Sequence, residues 1–151
     1  MHTKTSLLLE VWAEARTRFT NQLIDLTEAD LQKRLLPSQN SIGFLIRHIG
    51  DVELLFAKNV FHAEDVKVSA KTVIDKRDTG EWTNLSELKA YVEDSYETLK
   101  AIVEKQTDED WQTEISTKEF GTKTKAEAFG RILSHTVHHS GQMAILNKYG
   151  S

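Results

Sequence analysis

One proline and seven glycines are all that punctuate a chain of 151 residues. Proline withholds a backbone donor and glycine supplies left-handed turns, so a chain this poor in both is predicted to form long, uninterrupted helices. Apolar residues at three- and four-residue spacing say where those helices run. Leu8, Leu9, Trp12, Ala15, Phe19 and Leu23 mark a first helix from about Thr5 to Gln22. Thr27 and Asp30 have the spacing of a cap and its acid, and open a short helical segment from Glu28 to Leu35 that Pro37 stops. The polar run Ser38 to Ser41 offers caps to a second long helix, about Asn40 to Phe61, with Ile42, Leu45, Ile49, Val52, Phe56 and Val60 as its buried stripe. Asn84 and Glu87 open a third, which reaches about Thr107 and buries Leu88, Tyr91, Val92, Tyr96, Leu99, Ile102 and Val103. Thr124 and Glu127 open a fourth over Lys125 to Tyr149, with Gly150 at its end.

Two stretches break the pattern. Residues 62–83 mix charges with Val66, Val68, Val73 and Ile74 in short alternation, and Asp78, Thr79 and Gly80 signal a turn, so this is a long connection with room for a short helix. The Thr- and Lys-rich run QTEISTKEFGTKTK after Trp111 reads as an extended excursion or a tight hairpin. The expected architecture is an all-α four-helix bundle in a single domain, 1–151, with the long connection between its second and third helices. A chain of this length buries roughly 68–70% of the surface its unfolded form exposes, enough for one core.

Composition removes several functions. No cysteine is present, which excludes disulfides, thiolate metal sites and a cysteine nucleophile, so any metal must take nitrogen or oxygen ligands. The net charge is -4 with Lys and Arg scattered, which argues against nucleic acid as a partner. Glu10, Glu14 and Arg16 interrupt the N-terminal apolar residues, so neither a signal peptide nor a membrane span is expected, and the cytoplasm is the default location. The expected partners are a small-molecule substrate and, on helical faces left over by the core, a second copy in a homodimer. No glycine-rich phosphate loop, paired carboxylates or Ser-His-Asp set outranks a metal.

The histidines carry the chemistry. His135 and His139 lie one turn apart beside the apolar side of the last helix formed by Phe129, Ile132, Leu133 and Met143. His138 points toward the polar face. His48 borders the stripe of the second helix between Leu45, Val52 and Leu55, where an unpaired imidazole is costly. Neighbouring helices of a bundle can bring such groups to a shared depth, where three neutral imidazoles bind a divalent ion and leave a fourth position open. The competing reading is a set of surface or satisfied core histidines. Asp51 and Gln142, one turn beyond His48 and His139, either orient imidazoles and substrate or belong to a solvated face, and His138 is a bystander or an outer supporting group. His2 and His62 look incidental. Trp12, Trp82 and Trp111 are core filler or cavity lining.

The segments LIRHIGDVELLF and SHTVHHSGQMAILNKYG resemble the DinB/YfiT-like (damage-inducible) metalloprotein superfamily, in order and length over nearly the whole chain. The resemblance implies an up-down-down-up bundle with a three-histidine divalent metal site, often Zn or Ni, at one end of the bundle interior. Matched residue by residue, its metal-binding positions fall on His48, His135 and His139. Ser140 stands where many members have Arg in an HHRGQ run, which removes an anion contact that Arg would provide. The implied chemistry is that of a metal-dependent thiol S-transferase acting on small electrophiles, with a low-molecular-weight thiol such as bacillithiol or mycothiol as co-substrate. A metal-dependent hydrolase and a non-enzymatic metal-binding or interaction protein are the alternatives.

Overall fold

Each long helix starts where a side chain satisfies a backbone N–H that the first turn leaves open. In the computed structural model, which describes residues 3–151, α1 (Lys4–Asp25) is capped by the Thr3 hydroxyl, which accepts from the Ser6 N–H. The Ser41 hydroxyl caps α2 (Ile42–Asn59) and the Asn84 side chain caps α4 (Leu85–Val103). Thr124 and Glu127 form a reciprocal capping box at the start of α5 (Lys125–Tyr149). The long connection between α2 and α4 contains one short helix, α3 (Lys71–Asp75). A hairpin of β1 (Glu114–Thr117) and β2 (Gly121–Thr124) precedes α5, with Glu114 opposite Thr124 and Thr117 opposite Gly121, whose φ of 74° makes the turn.

Local hydrogen bonds explain where the observed ends differ from those predicted. The segment after Thr27 is a 3-10 turn, Glu28–Gln32, that stops three residues before Leu35, because Lys33 turns extended after its N–H bonds the Asp30 carbonyl. The α4 helix stops at Val103 rather than Thr107, whose own N–H and hydroxyl donate to Asp110 and open the next turn instead. The α2 helix ends at Asn59, three residues before His62 takes a left-handed φ of 56°.

The four long helices close a ring in which α1 packs on α5, α5 on α2, α2 on α4 and α4 on α1. Trp12, Phe56, Leu99, Trp111, Phe129 and Ile132 fill one part of the core, and Phe19, Leu31, Ile46, Ile49, Leu88 and Met143 another. Trp12 and Trp111 are fully buried core residues, whereas Trp82 is only half-buried. Arg16, which in sequence reads as a polar interruption, is buried: its Nε and Nη2 donate to Glu53 at 3.0 and 2.9 Å, and Nη2 also donates to the Val92 carbonyl. Ser95 donates to the same carboxylate, and the guanidinium lies 4.4 Å from the Tyr96 ring centroid. This ion pair links α1, α2 and α4 at the centre of the bundle. Among the described residues, no helix is long and apolar enough to cross a membrane. His2 lies outside them.

Candidate metal centre

The packing of α2 against α5 brings His48 to the pair His135 and His139, which share one face of α5 because they are four residues apart. Each histidine offers one ring nitrogen, and the three nitrogens all lie within 4.8 Å of one another. Nε2 of His135 is 3.1 Å from Nε2 of His48. The His139 ring meets those of His48 and His135 edge-on, at centroid distances of 4.9 and 4.4 Å, and Phe44 stacks on His48 at 5.8 Å.

These residues fit a divalent ion. Zinc bound to imidazoles at about 2.0–2.1 Å in tetrahedral geometry spaces its ligand nitrogens by about 3.3–3.4 Å, and the cluster has that scale. Two bare lone pairs 3.1 Å apart repel, so a proton or a cation must lie between His135 and His48. In the metal-free protein that proton is the Nε2–H of one neutral imidazole, and a second proton on either ring is disfavoured: burial pushes His48 down to about 4, helped by repulsion from His139 and opposed by Asp51. His135 falls to about 3, first through burial and then through repulsion from His139, His48 and His138. Burial also lowers His139, against a hydrogen bond to Gln142 that raises it. At neutral pH the group is therefore three uncharged nitrogen donors, a set that suits borderline divalent metals and leaves a coordination position free. Nδ1 of His135 is buried without a partner.

The other two rings are held from behind. His139 Nδ1 is 2.7 Å from Gln142 Oε1, and Gln142 Nε2 is 3.3 Å from Nε2 of the exposed His138, so Gln142 bridges the two histidines. His48 Nδ1 is 3.0 Å from the Thr72 hydroxyl on α3, which donates to Asp51 Oδ2 at 2.7 Å. Asp51 is fully buried, which removes the reading of a solvated face, and it reaches His48 only through Thr72. Its other oxygen accepts from Arg47 Nε and from the Tyr91 hydroxyl. Arg47 in turn lies 3.7 Å from the Tyr91 ring centroid and 4.9 Å from that of Trp82. Ser140 stands apart, buried with its hydroxyl donating to the Thr136 carbonyl.

Thr72, Arg47 and Tyr91 escape a reading of the sequence for site residues. Arg47 and Asp51 do have the i, i+4 spacing of a helical ion pair, a usable signal. Thr72 has none, since it lies in the irregular connection.

A cavity of about 410 Å³ opens beside the cluster, with His135 and His138 in its wall together with Val52, Phe56, Phe120, Arg131 and Glu119. Arg131 is exposed and has no ion pair or side-chain hydrogen bond among the described residues. His62 lines a neighbouring cavity of about 560 Å³ that shares Phe56 and Phe120, and takes no part in the histidine cluster.

No curated protein matches the chain. A family model described as the DinB superfamily matches residues 11–143. That span covers α2, α4, the hairpin and all three clustered histidines, and the chain belongs to the DinB superfamily.

Proposed function

We propose that the protein is a divalent-metal-dependent enzyme, a thiol S-transferase acting on small electrophiles, with zinc or nickel held by His48, His135 and His139. The observation that carries this reading is the convergence of three uncharged imidazoles beside a cavity, with no carboxylate or thiolate among them. When bound, a divalent ion supplies an uncompensated positive charge that lowers the pKa of a thiol at its open position and so raises the fraction of nucleophilic thiolate. Val52, Phe56 and Phe120 offer an apolar wall for the body of the electrophile, and the same wall carries one charge of each sign, Arg131 and Glu119. In the transfer, a sulfur–carbon bond forms as the bond from carbon to the leaving group breaks. The leaving group departs with the electron pair, and the proton of the thiol passes to solvent.

The test is turnover of zinc-loaded protein with a low-molecular-weight thiol and a small alkylating electrophile, with the product identified by mass. A thioether formed by wild type and not by His48→Ala is the expected result. Conversion of the electrophile without thiol, with water incorporated, would instead make the protein a hydrolase. No conversion across thiols and electrophiles at full metal loading would leave a metal-binding protein without this activity.

A further inference from the structure

The buried hydrogen bonds behind His48 have only one consistent direction. Asp51 is an acceptor: its Oδ1 faces the Arg47 guanidinium at 2.9 Å and the Tyr91 hydroxyl, and its Oδ2 accepts from the Thr72 N–H at 3.1 Å. The Thr72 hydroxyl has one proton, and with Oδ2 2.7 Å away that proton goes to Asp51. Toward His48 Nδ1, 3.0 Å away, the hydroxyl can offer only a lone pair. His48 must then carry its proton on Nδ1, which leaves the lone pair of Nε2 facing His135 and the centre of the cluster.

We propose that Thr72 is a positioning residue of the metal centre, relaying the negative charge of Asp51 to His48 and fixing His48 in the tautomer whose Nε2 is the metal ligand. The proposal rests on the reading of the three histidines as a metal site. It gives the long connection between α2 and α4 a task. Arg47 Nη2 donates to the Ser69 carbonyl at 3.1 Å, and Asp51 takes both the N–H and the hydroxyl of Thr72, so the connection is fastened to α2 at the residues that flank His48. Thr72 itself is 3% exposed, so water does not compete for its hydroxyl. At the far end the Arg47 guanidinium lies against the rings of Tyr91 and Trp82. A carboxylate behind a ligand imidazole raises its basicity and fixes its orientation, and losing such a partner typically weakens metal binding about 10–100-fold. Here the hydroxyl of Thr72 stands between the carboxylate and the ring.

The experiment has two arms. The first is a zinc titration of the metal-free protein against a chromophoric chelator, for wild type, Thr72→Val, Thr72→Ser and His48→Ala. Thr72→Val should bind zinc about 10–100-fold more weakly, Thr72→Ser should recover wild-type affinity because it keeps the hydroxyl, and His48→Ala should lose tight binding. If His48→Ala loses tight binding while Thr72→Val keeps it, the relay is wrong and the site reading stands. If His48→Ala binds as tightly as wild type, both are wrong. The second arm needs no variant: long-range proton–nitrogen correlation spectra of wild-type, metal-free protein at neutral pH should show His48 with its proton on Nδ1. A proton on Nε2 would overturn the relay whatever the variants do.

Discussion

At the scale of single residues, burial decides what the clustered histidines are. An unfolded histidine titrates near 6.5, whereas His48 and His135 are pushed down to about 4 and about 3 in the folded protein, largely by burial. Between those values the unfolded chain binds more protons than the folded one, so metal-free stability must fall as pH falls. Urea unfolding of the metal-free protein should therefore give a constant contribution from these histidines above pH 6.5 and a declining one as pH drops from 6.5 toward 4. Stability that rises over the same interval would contradict the burial of neutral imidazoles. The positions of the three histidines are legible in the chain because helical spacing is a local property: His135 and His139 share a face at any tilt of α5, and His48 sits at the edge of a regular stripe. What holds each ring is only partly legible. Gln142 is one turn from His139 and touches it, but the partner of His48 is Thr72, 24 residues away in a stretch without periodicity. Tyr91 reads as an ordinary member of the α4 stripe, and nothing in its spacing says that its hydroxyl ends on Asp51.

At the scale of elements, helix starts are easier to read than helix ends. A start is marked by a side chain that caps it: Asn84 and Thr124 do so where their spacing predicts, and Ser41, the last residue of the polar run, starts α2 at Ile42, two residues later than expected. An end depends on competition between one more helical bond and whatever lies next, as where Asp110 draws Thr107 out of α4. How closely two helices approach depends on residues that a stripe does not report. Gly50 is such a residue, because a Cβ there would lie 2.6 Å from Cε1 of Tyr91. Gly50→Ala should cost about 1–3 kcal/mol of stability through overpacking, read from the shift of the urea midpoint. It should also weaken zinc binding by displacing Tyr91 from Asp51. An alanine variant as stable as wild type would show that α2 and α4 are not as tightly apposed as the structure has them.

At the scale of the whole molecule, the bundle joins an apolar core to two buried polar systems that share α2. One is the Arg16–Glu53 pair, which ties α1 to α2 and α4, and the other runs from Arg47 and Tyr91 through Asp51 and Thr72 to His48. Neither system is visible in hydropathy, since Arg16 and Glu53 look like solvated positions until three helices enclose them. Residues 51 to 53 thus carry one carboxylate to the histidines and another to the opposite side of the same helix. The helical architecture follows from patterns within each segment, whereas the polar systems depend on contacts between segments far apart in the chain, which local periodicity cannot express. Everything in the proposed function depends on His48, His135 and His139 together holding one divalent ion. That shared binding is tested most directly by elemental analysis of protein purified without a polyhistidine tag, comparing wild type with His48→Ala and His135→Ala. Wild type should hold close to one divalent ion per chain and either variant little, and unchanged stoichiometry in both variants would contradict a shared three-histidine site.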